Sequence, residues 1–470
     1  MKSNVPVGGS CVGQESKETV FIIILFIIVS LLNAIITYQG NSPISAFLVG
    51  EIIIGLIIID FSRMKLAMHV YQILLIYFYF SLVIFHSFND QTRGFYSQSY
   101  IISCLHCLFF VIGYQLISTK KAIRPVITPK QNILTLGYIM FGILIPLVYS
   151  FYANNGVTDY DAHFLTYDEG TSLPIYKLFV ASIFTQVKWL VMYYSSNPLV
   201  ISASFFTEAL LMYPATGIKA PLVTTFCILI IVAQLYIFRL SFKWLSVLGA
   251  VSICLAFVLI GSTSFRGDLT LQSLFNAVTN LDSILDRWRY FILGSPESGH
   301  IRFLADILAM MENETTDFRY GFDFYRFFLY PFKSLFYDFE LSSYNHYPVL
   351  LAGYNVSQGL YLGLGAELFW NFGWFFPLFS LIFGYALKRF TLFAFSGSFF
   401  GLVIYLILFK TLLWELYRGE TNSFIMTFVA LFLGMIFFQT ILKVRQVRII
   451  AAYLVNFVVK RSNRRIKSNG

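Results

Sequence analysis

Two kinds of residue in this chain could do chemistry: arginines gathered in one polar segment, and a few ionisable side chains inside long apolar runs. Arg266, Arg287, Arg289, Arg302, Arg319 and Arg326 all fall between Ser264 and Ser357, with His300 and His346 beside them. Planar guanidinium groups grip phosphate and pyrophosphate through charge-assisted forks, and two or three converging ones suffice for an anionic ligand. Others will simply face water or pair locally, as Asp286 and Arg289 would at i,i+3. Either histidine could take a proton from a sugar hydroxyl near neutral pH. Glu51, Glu208, Glu367, Lys410 and Glu415 interrupt apolar runs. Ionisable groups at membrane depth turn towards a cavity or towards one another, so a polar cavity is expected among them. For Glu51 and Glu208, pairing with neighbouring helices is the equal alternative. Lys188, near a span end, reaches the interface along its own stem.

The elements that hold these groups follow from composition. Charged residues are 12% of the chain and hydrophobic ones 57%, against roughly 25% charged in soluble domains. The apolar residues come in blocks of about 20, the length of a helix across the ~30 Å hydrocarbon core. Backbone groups in lipid must be satisfied within the segment, so an all-α, polytopic membrane protein is expected. Spans are placed near 19–38, 44–61, 69–88, 99–118, 133–152, 175–195, 198–213, 220–238, 244–263, 358–387, 397–416 and 423–442.

Charge orients them. Arg63 and Lys65, then Lys120, Lys121, Arg124 and Lys130, then Arg239 and Lys243, then Lys388 and Arg389 occupy alternate loops, and the tail is strongly basic. Basic residues favour the cytoplasmic side, which puts both termini inside in an arrangement of about 12 spans. The expected organisation is a nine-span region over 1–263 and a large extracytoplasmic loop over 264–357. A three-span region over 358–442 and a basic cytoplasmic tail over 443–470 complete it. Within the tail, 449–459 is too short to span and reads as an interfacial helix. The net charge of +9 belongs to this topology. No basic stripe with interleaved aromatics points to nucleic acid.

The large loop is too long for a passive connection. Leu274, Val278, Leu281, Leu285, Trp288 and Ile292 recur at spacings of three and four, which predicts an amphipathic helix with Arg289 at the edge of its apolar stripe. After the Gly294–Gly299 break a second helix is expected near His300–Glu312, carrying Ile301, Leu304, Leu308 and Met311 on one face. The aromatic stretch 320–339 suits an interfacial belt or a platform for sugar rings. The five cysteines, at 11, 104, 107, 227 and 254, give no disulfide framework. Cys104-Leu105-His106-Cys107 has the look of a metal clip but sits in an apolar run, and no metal or other cofactor is expected.

The segment from Gly359 through Gly363, Gly365, Glu367, Asn371, Phe372 and Gly373 to Pro377 is a glycine-rich approach followed by E-x-x-x-N-F-G. Glu367 and Asn371, at i,i+4, share a helix face. This pattern, with many spans and an arginine soon after the start of a late outer loop, resembles the Wzy-type O-antigen polymerases, or oligosaccharide repeat unit polymerases. The resemblance implies a glycosyltransferase-C-like enzyme of the bacterial inner membrane. It would join undecaprenyl-pyrophosphate-linked oligosaccharides into O-antigen or capsule-type polysaccharide, with membrane lipid and a chain-length regulator protein as partners. It further implies Arg266, Arg289, His300, His346 and Glu367 as catalytic candidates, and Arg287, Arg302, Arg319, Arg326, Asn371 and Lys410 as substrate-binding ones. Ligases of related type carry a small polar residue after the loop histidine, whereas Tyr347 follows His346 here. A lipid-linked oligosaccharide flippase, an O-antigen ligase and a structural partner in an export complex are the alternatives. The absence of two similar halves argues against a transporter.

Overall fold

The computed structural model describes residues 44–64, 68–86, 94–117, 299–314, 316–322 and 363–395. It adds isolated residues beside these segments and short helical pieces within 30–34, 227–235 and 401–413. Among the described residues the structure is helical, with no strand. We number the helices α1 (Ile44–Met64), α2 (Val70–Tyr79), α3 (Tyr96–Gln115), α4 (Gly299–Glu312), α5 (Leu364–Phe372) and α6 (Phe376–Ala394). A π-helical turn, Phe80–Phe85, extends α2, and a 3-10 turn, Gly373–Phe375, joins α5 to α6.

Among the described residues, three helical stretches are long and apolar enough to cross a bilayer: Ile44–Met64, Tyr96–Gln115 and Leu364–Ala394. They match three of the expected spans, and the shorter apolar helix Val70–Ile84 matches a fourth. Each keeps large apolar side chains on its outer face. Leu48 and Ile52 of α1, Leu108 and Ile112 of α3 with Leu116 just beyond its end, and Leu378 and Ile382 of α6 stay exposed. Such faces are compatible with lipid as the outer solvent. The remaining expected spans, the stripe 274–292 and the basic tail lie wholly or largely outside the described residues.

Contacts along the helices fix their directions. Tyr100 Oη donates to Leu82 O (3.1 Å), Phe78 meets His106 edge to face, and Tyr71 stacks on Tyr114 at 3.5 Å. Thus α2 and α3 are antiparallel. His106 pairs with Ser380 and Tyr114 with Lys388, so α3 and α6 run parallel. A Cβ added at Gly113 would overlap Leu381 O, and one added at Gly384 would overlap Phe110 O. The two backbones touch, as small residues allow where helices pack without water to drive them together.

One expected span takes a different form. The run anticipated as 358–387 is two helices, because Gly373 adopts φ 53°, ψ −138°, a region closed to residues with a Cβ. Pro377 then opens α6, where its missing N–H goes unmissed. Beyond the break α6 continues to Ala394, so Lys388 and Arg389 lie within the helix rather than in a loop. Lys388 is buried, which corrects its reading as a solvent-facing cytoplasmic charge.

Candidate functional site

The E-x-x-x-N-F-G motif forms α5 and its terminus. Glu367 lies in the first turn of α5, where a carboxylate is favoured by the helix dipole, and its N–H donates to Gly363 O (2.9 Å). One turn on, Asn371 Nδ2 donates to Glu367 O (2.9 Å). Both side chains are completely buried, so the shared face expected from their spacing is the inward one. Phe372 stacks on Phe379 of α6 at 3.6 Å across the break.

A helix that ends inside a protein leaves carbonyls needing donors. Here the polar segment supplies them. Arg319 N–H donates to Trp370 O (2.9 Å) and Gly321 N–H to Asn371 O (3.0 Å). In return Trp370 Nε1 donates to Asp317 O (3.0 Å). The Arg319 guanidinium lies over the rings of Trp370, at 4.9 Å, and Phe322, at 5.3 Å. Cation–π contacts of this kind contribute about 1 kcal/mol when partly exposed. The ring of Phe318 lies against Gly373, leaving 3.3 Å to where a Cβ would stand. The loop is thereby bolted to the motif through backbone and aromatic groups together.

The second loop helix is present as expected. Helix α4 covers Gly299–Glu312 with Ile301 and Leu304 buried, and it packs on α3 and α5. Leu308 and Met311 lie against the same core. His300, in its first turn, is held to the head of α5: a Cβ on Gly363, where φ is +83°, would come within 2.7 Å of its Nδ1. Gly365 stands equally close to His106 of α3, at 2.9 Å. Both imidazoles line one cavity of about 40 Å3 bounded by α2, α3, α4 and α5. The cavity is partly open to its surroundings.

The structure therefore joins His300, Arg319, Glu367 and Asn371 around one helix, with Arg302 half-buried on α4. Arg266, Arg287, Arg289, Arg326, His346 and Lys410 lie outside the described residues, as does Glu208. Glu51 takes its structural alternative. It accepts from Ser30 Oγ (2.6 Å) and Asn33 Nδ2 (2.8 Å), and Asn33 in turn accepts from Tyr79 Oη (3.0 Å). His106 is directed to Ser380 Oγ, 2.8 Å from its Nδ1, rather than to the neighbouring cysteines.

A second polar cluster went unnoticed in the sequence. At the far ends of α1, α3 and α6, His69 Nε2 lies 2.6 Å from Asp60 Oδ2. The same oxygen accepts from Gln72 Nε2 (3.1 Å). Gln72 also stitches the connecting turn, donating to Leu66 O (3.1 Å) and accepting from Met68 N–H (2.9 Å). Lys388 Nζ sits 4.3 Å above the Tyr114 ring, and Val70 N–H donates to Tyr405 Oη (3.0 Å). Asp60, His69, Gln72 and Lys388 are all buried. The only advance signal was that Asp60 and His69 sit at the ends of consecutive apolar blocks, where a short turn must bring them together. Compared with known protein families, with curated proteins and with solved structures, the chain matches none.

Proposed function

We propose that this chain is a Wzy-type polysaccharide polymerase: a glycosyltransferase that joins undecaprenyl-pyrophosphate-linked repeat units at the outer face of the bacterial inner membrane. One observation carries the reading. The polar loop and the E-x-x-x-N-F-G helix are a single unit, the loop's backbone capping the helix and its His300 packed against the helix's first turn. A connecting loop has no need of this. A loop that presents catalytic groups beside a buried motif does.

The twelve-span topology belongs to the same proposal, and the helix directions support it. Parallel α3 and α6 require an odd number of crossings between Gln115 and Leu364, and five are expected there. Arg63 and Arg389 gather at the Asp60 end, which supports reading that end as cytoplasmic and the motif end as outer.

In the reaction, an acceptor sugar hydroxyl attacks the donor's anomeric carbon, and the bond to undecaprenyl pyrophosphate breaks with its electrons passing to the pyrophosphate oxygen. Pyrophosphate leaves readily, so the protein's work is to align two lipid-borne glycans and to hold developing negative charge. We assign the charge-holding role to Arg266 with Arg289 or Arg302, and glycan binding to Arg319 and the remaining loop arginines. Of the described base candidates, Glu367 is wholly enclosed while His300 is partly exposed. Both remain assigned as base candidates, with the buried Glu367 also ordering the outer end of α5.

The test is deletion in the native host, with surface glycan and undecaprenyl-linked glycan resolved on gels and wild type, Arg266→Ala and Glu367→Gln supplied back. Surface glycan capped at one repeat unit, restored by wild type and by neither variant, is the expected outcome. Long chains stranded on undecaprenyl pyrophosphate would make the chain a ligase. Single units held on the cytoplasmic side would make it a flippase.

A further inference from the structure

The tight turn that docks the polar segment on α5 carries a residue ill suited to its backbone. Phe322 N–H closes the turn on Arg319 O (2.9 Å), and both central residues take positive φ, Tyr320 at 51° and Gly321 at 77°. Turns of this kind favour Asn-Gly or Gly-Gly at their centre. Gly321 meets that demand, and a Cβ there would stand 3.0 Å from the Phe372 ring. Tyr320 does not meet it, because a bulky aromatic residue in the left-handed region is strained. Glu314 is also left-handed, at 57°, but for an ordinary reason: its N–H bonds to Met311 O (3.2 Å) where the chain leaves α4, a common way to end a helix. Packing does not offset the strain at Tyr320, which is 79% exposed. The bonds on either side of it, Arg319 N–H to Trp370 O and Gly321 N–H to Asn371 O, hold it exposed at the end of the motif helix.

What such a ring meets follows from its surroundings. Trp374, just past the end of the same helix, is 70% exposed. It is braced edge to face on Phe369 (5.5 Å), which meets Phe318 of the polar segment in the same way (5.8 Å). Glu312, Glu314 and Asp317 of that segment are exposed too. Carboxylates keep the segment in water rather than among acyl chains, and they repel a pyrophosphate. Exposed aromatic faces among carboxylates suit a sugar, whose C–H face lies on a ring while its hydroxyls donate to carboxylate oxygens. We propose that Tyr320 is a glycan-stacking residue, with Trp374 as a second ring and Asp317 as a hydroxyl acceptor, and that its strained backbone is kept because it presents the ring to sugar. This rests on the reading of the chain as an enzyme of lipid-linked glycans. It gives the sugar part of the substrate to aromatic rings and leaves the pyrophosphate to arginines.

The full-length chain in lipid nanodiscs tests it. The probe is oligosaccharide released by mild acid from the host's own undecaprenyl-linked glycan, and binding is read by equilibrium dialysis. Tyr320→Asn puts a residue at ease in the left-handed region into the turn. Its thermal midpoint should rise above that of wild type, while oligosaccharide binding weakens about tenfold, the scale of one lost ring contact. Tyr320→Trp keeps a flat ring and should keep the binding. A midpoint that falls in Tyr320→Asn would make the ring a packing element, and unchanged binding would leave the strain without use; either overturns the proposal. So would a fluorophore on Tyr320→Cys that is quenched by nitroxide-headgroup lipids, which would put the position in the bilayer interface. Failure of wild type to bind the oligosaccharide overturns it as well. Wild type that binds the oligosaccharide but extends no lipid-linked repeat unit refutes the polymerase reading and leaves the glycan site standing. Extension by wild type, with Tyr320→Asn binding and extending equally well, does the reverse.

Discussion

The two ends of this helical assembly bury polar groups in opposite ways. At the motif end Glu367 and Asn371 are fully buried on one helix, whose closing carbonyls are capped by backbone N–H groups of the polar segment. At the other end Asp60 meets His69 directly at 2.6 Å, with the ammonium of Lys388 nearby as its counter-charge and seated over Tyr114. A charge that has a nearby counter-charge is stabilised in place and gains little by acting on anything else. The Asp60 end therefore reads as a lock that ties α1, α2, α3 and α6 together. The motif end, whose backbone is capped by a loop, is where chemistry is to be sought.

The contrast can be broken most forcefully at Asp60. Asp60→Ala leaves the buried Lys388 charge without its counter-charge, and removing one partner of a buried set costs about 3–5 kcal/mol. The expected result is loss of most folded protein, read as the midpoint of a thermal size-exclusion series in detergent. If the end is only a lock, Asp60→Leu combined with Lys388→Met should recover most of that midpoint, and surface glycan length should return with it. Recovery of fold without recovery of glycan would show that the charges serve the reaction, and the division drawn between the two ends would fail.

The break in the motif helix comes next. Gly373 sits where only glycine is at ease, with the Phe318 ring 3.3 Å from a would-be Cβ. Gly373→Ala should cost about 1–3 kcal/mol, less than Asp60→Ala in the same series. It should also loosen the loop, so that limited proteolysis cuts between Glu312 and Tyr325 sooner than in wild type. Unchanged proteolysis would mean that the loop is held independently of the break.

These features differ in how far the sequence disclosed them. The helices were legible because lipid imposes a length, and an apolar block of about 20 residues leaves few alternatives. So was α4, whose three- and four-residue spacing placed Ile301 and Leu304 on the face that is in fact buried, and so was the common face of Glu367 and Asn371. The break at Gly373 had its signals in Gly373 and Pro377, but the apolar run through them read as one span. Lys388 shows a deeper difficulty. A lysine at the end of an apolar block marks the cytoplasmic side in most membrane proteins, and nothing local distinguishes one that turns inward under a tyrosine. The partnerships His106 with Ser380 and Asp60 with Lys388 join residues hundreds of positions apart. Periodicity constrains which face a residue takes, but not which helix that face meets.

The smallest expected effect bears on how the loop is bolted down. Trp370→Phe removes the Nε1–H that donates to Asp317 O and weakens the surface beneath the Arg319 guanidinium, while keeping most of the buried ring. One neutral hydrogen bond and part of a cation–π contact amount to about 1–2 kcal/mol. The thermal midpoint should fall slightly, and the backbone bonds from Arg319 and Gly321 should still hold the loop. Arg319→Lys tests the same contact from the other side, since an ammonium keeps the charge but cannot lie flat across two rings. If the two substitutions together lower the midpoint no further than either alone, the ring and the guanidinium act as one contact. A sum of the two losses would instead separate Arg319 from Trp370 and free it for the glycan.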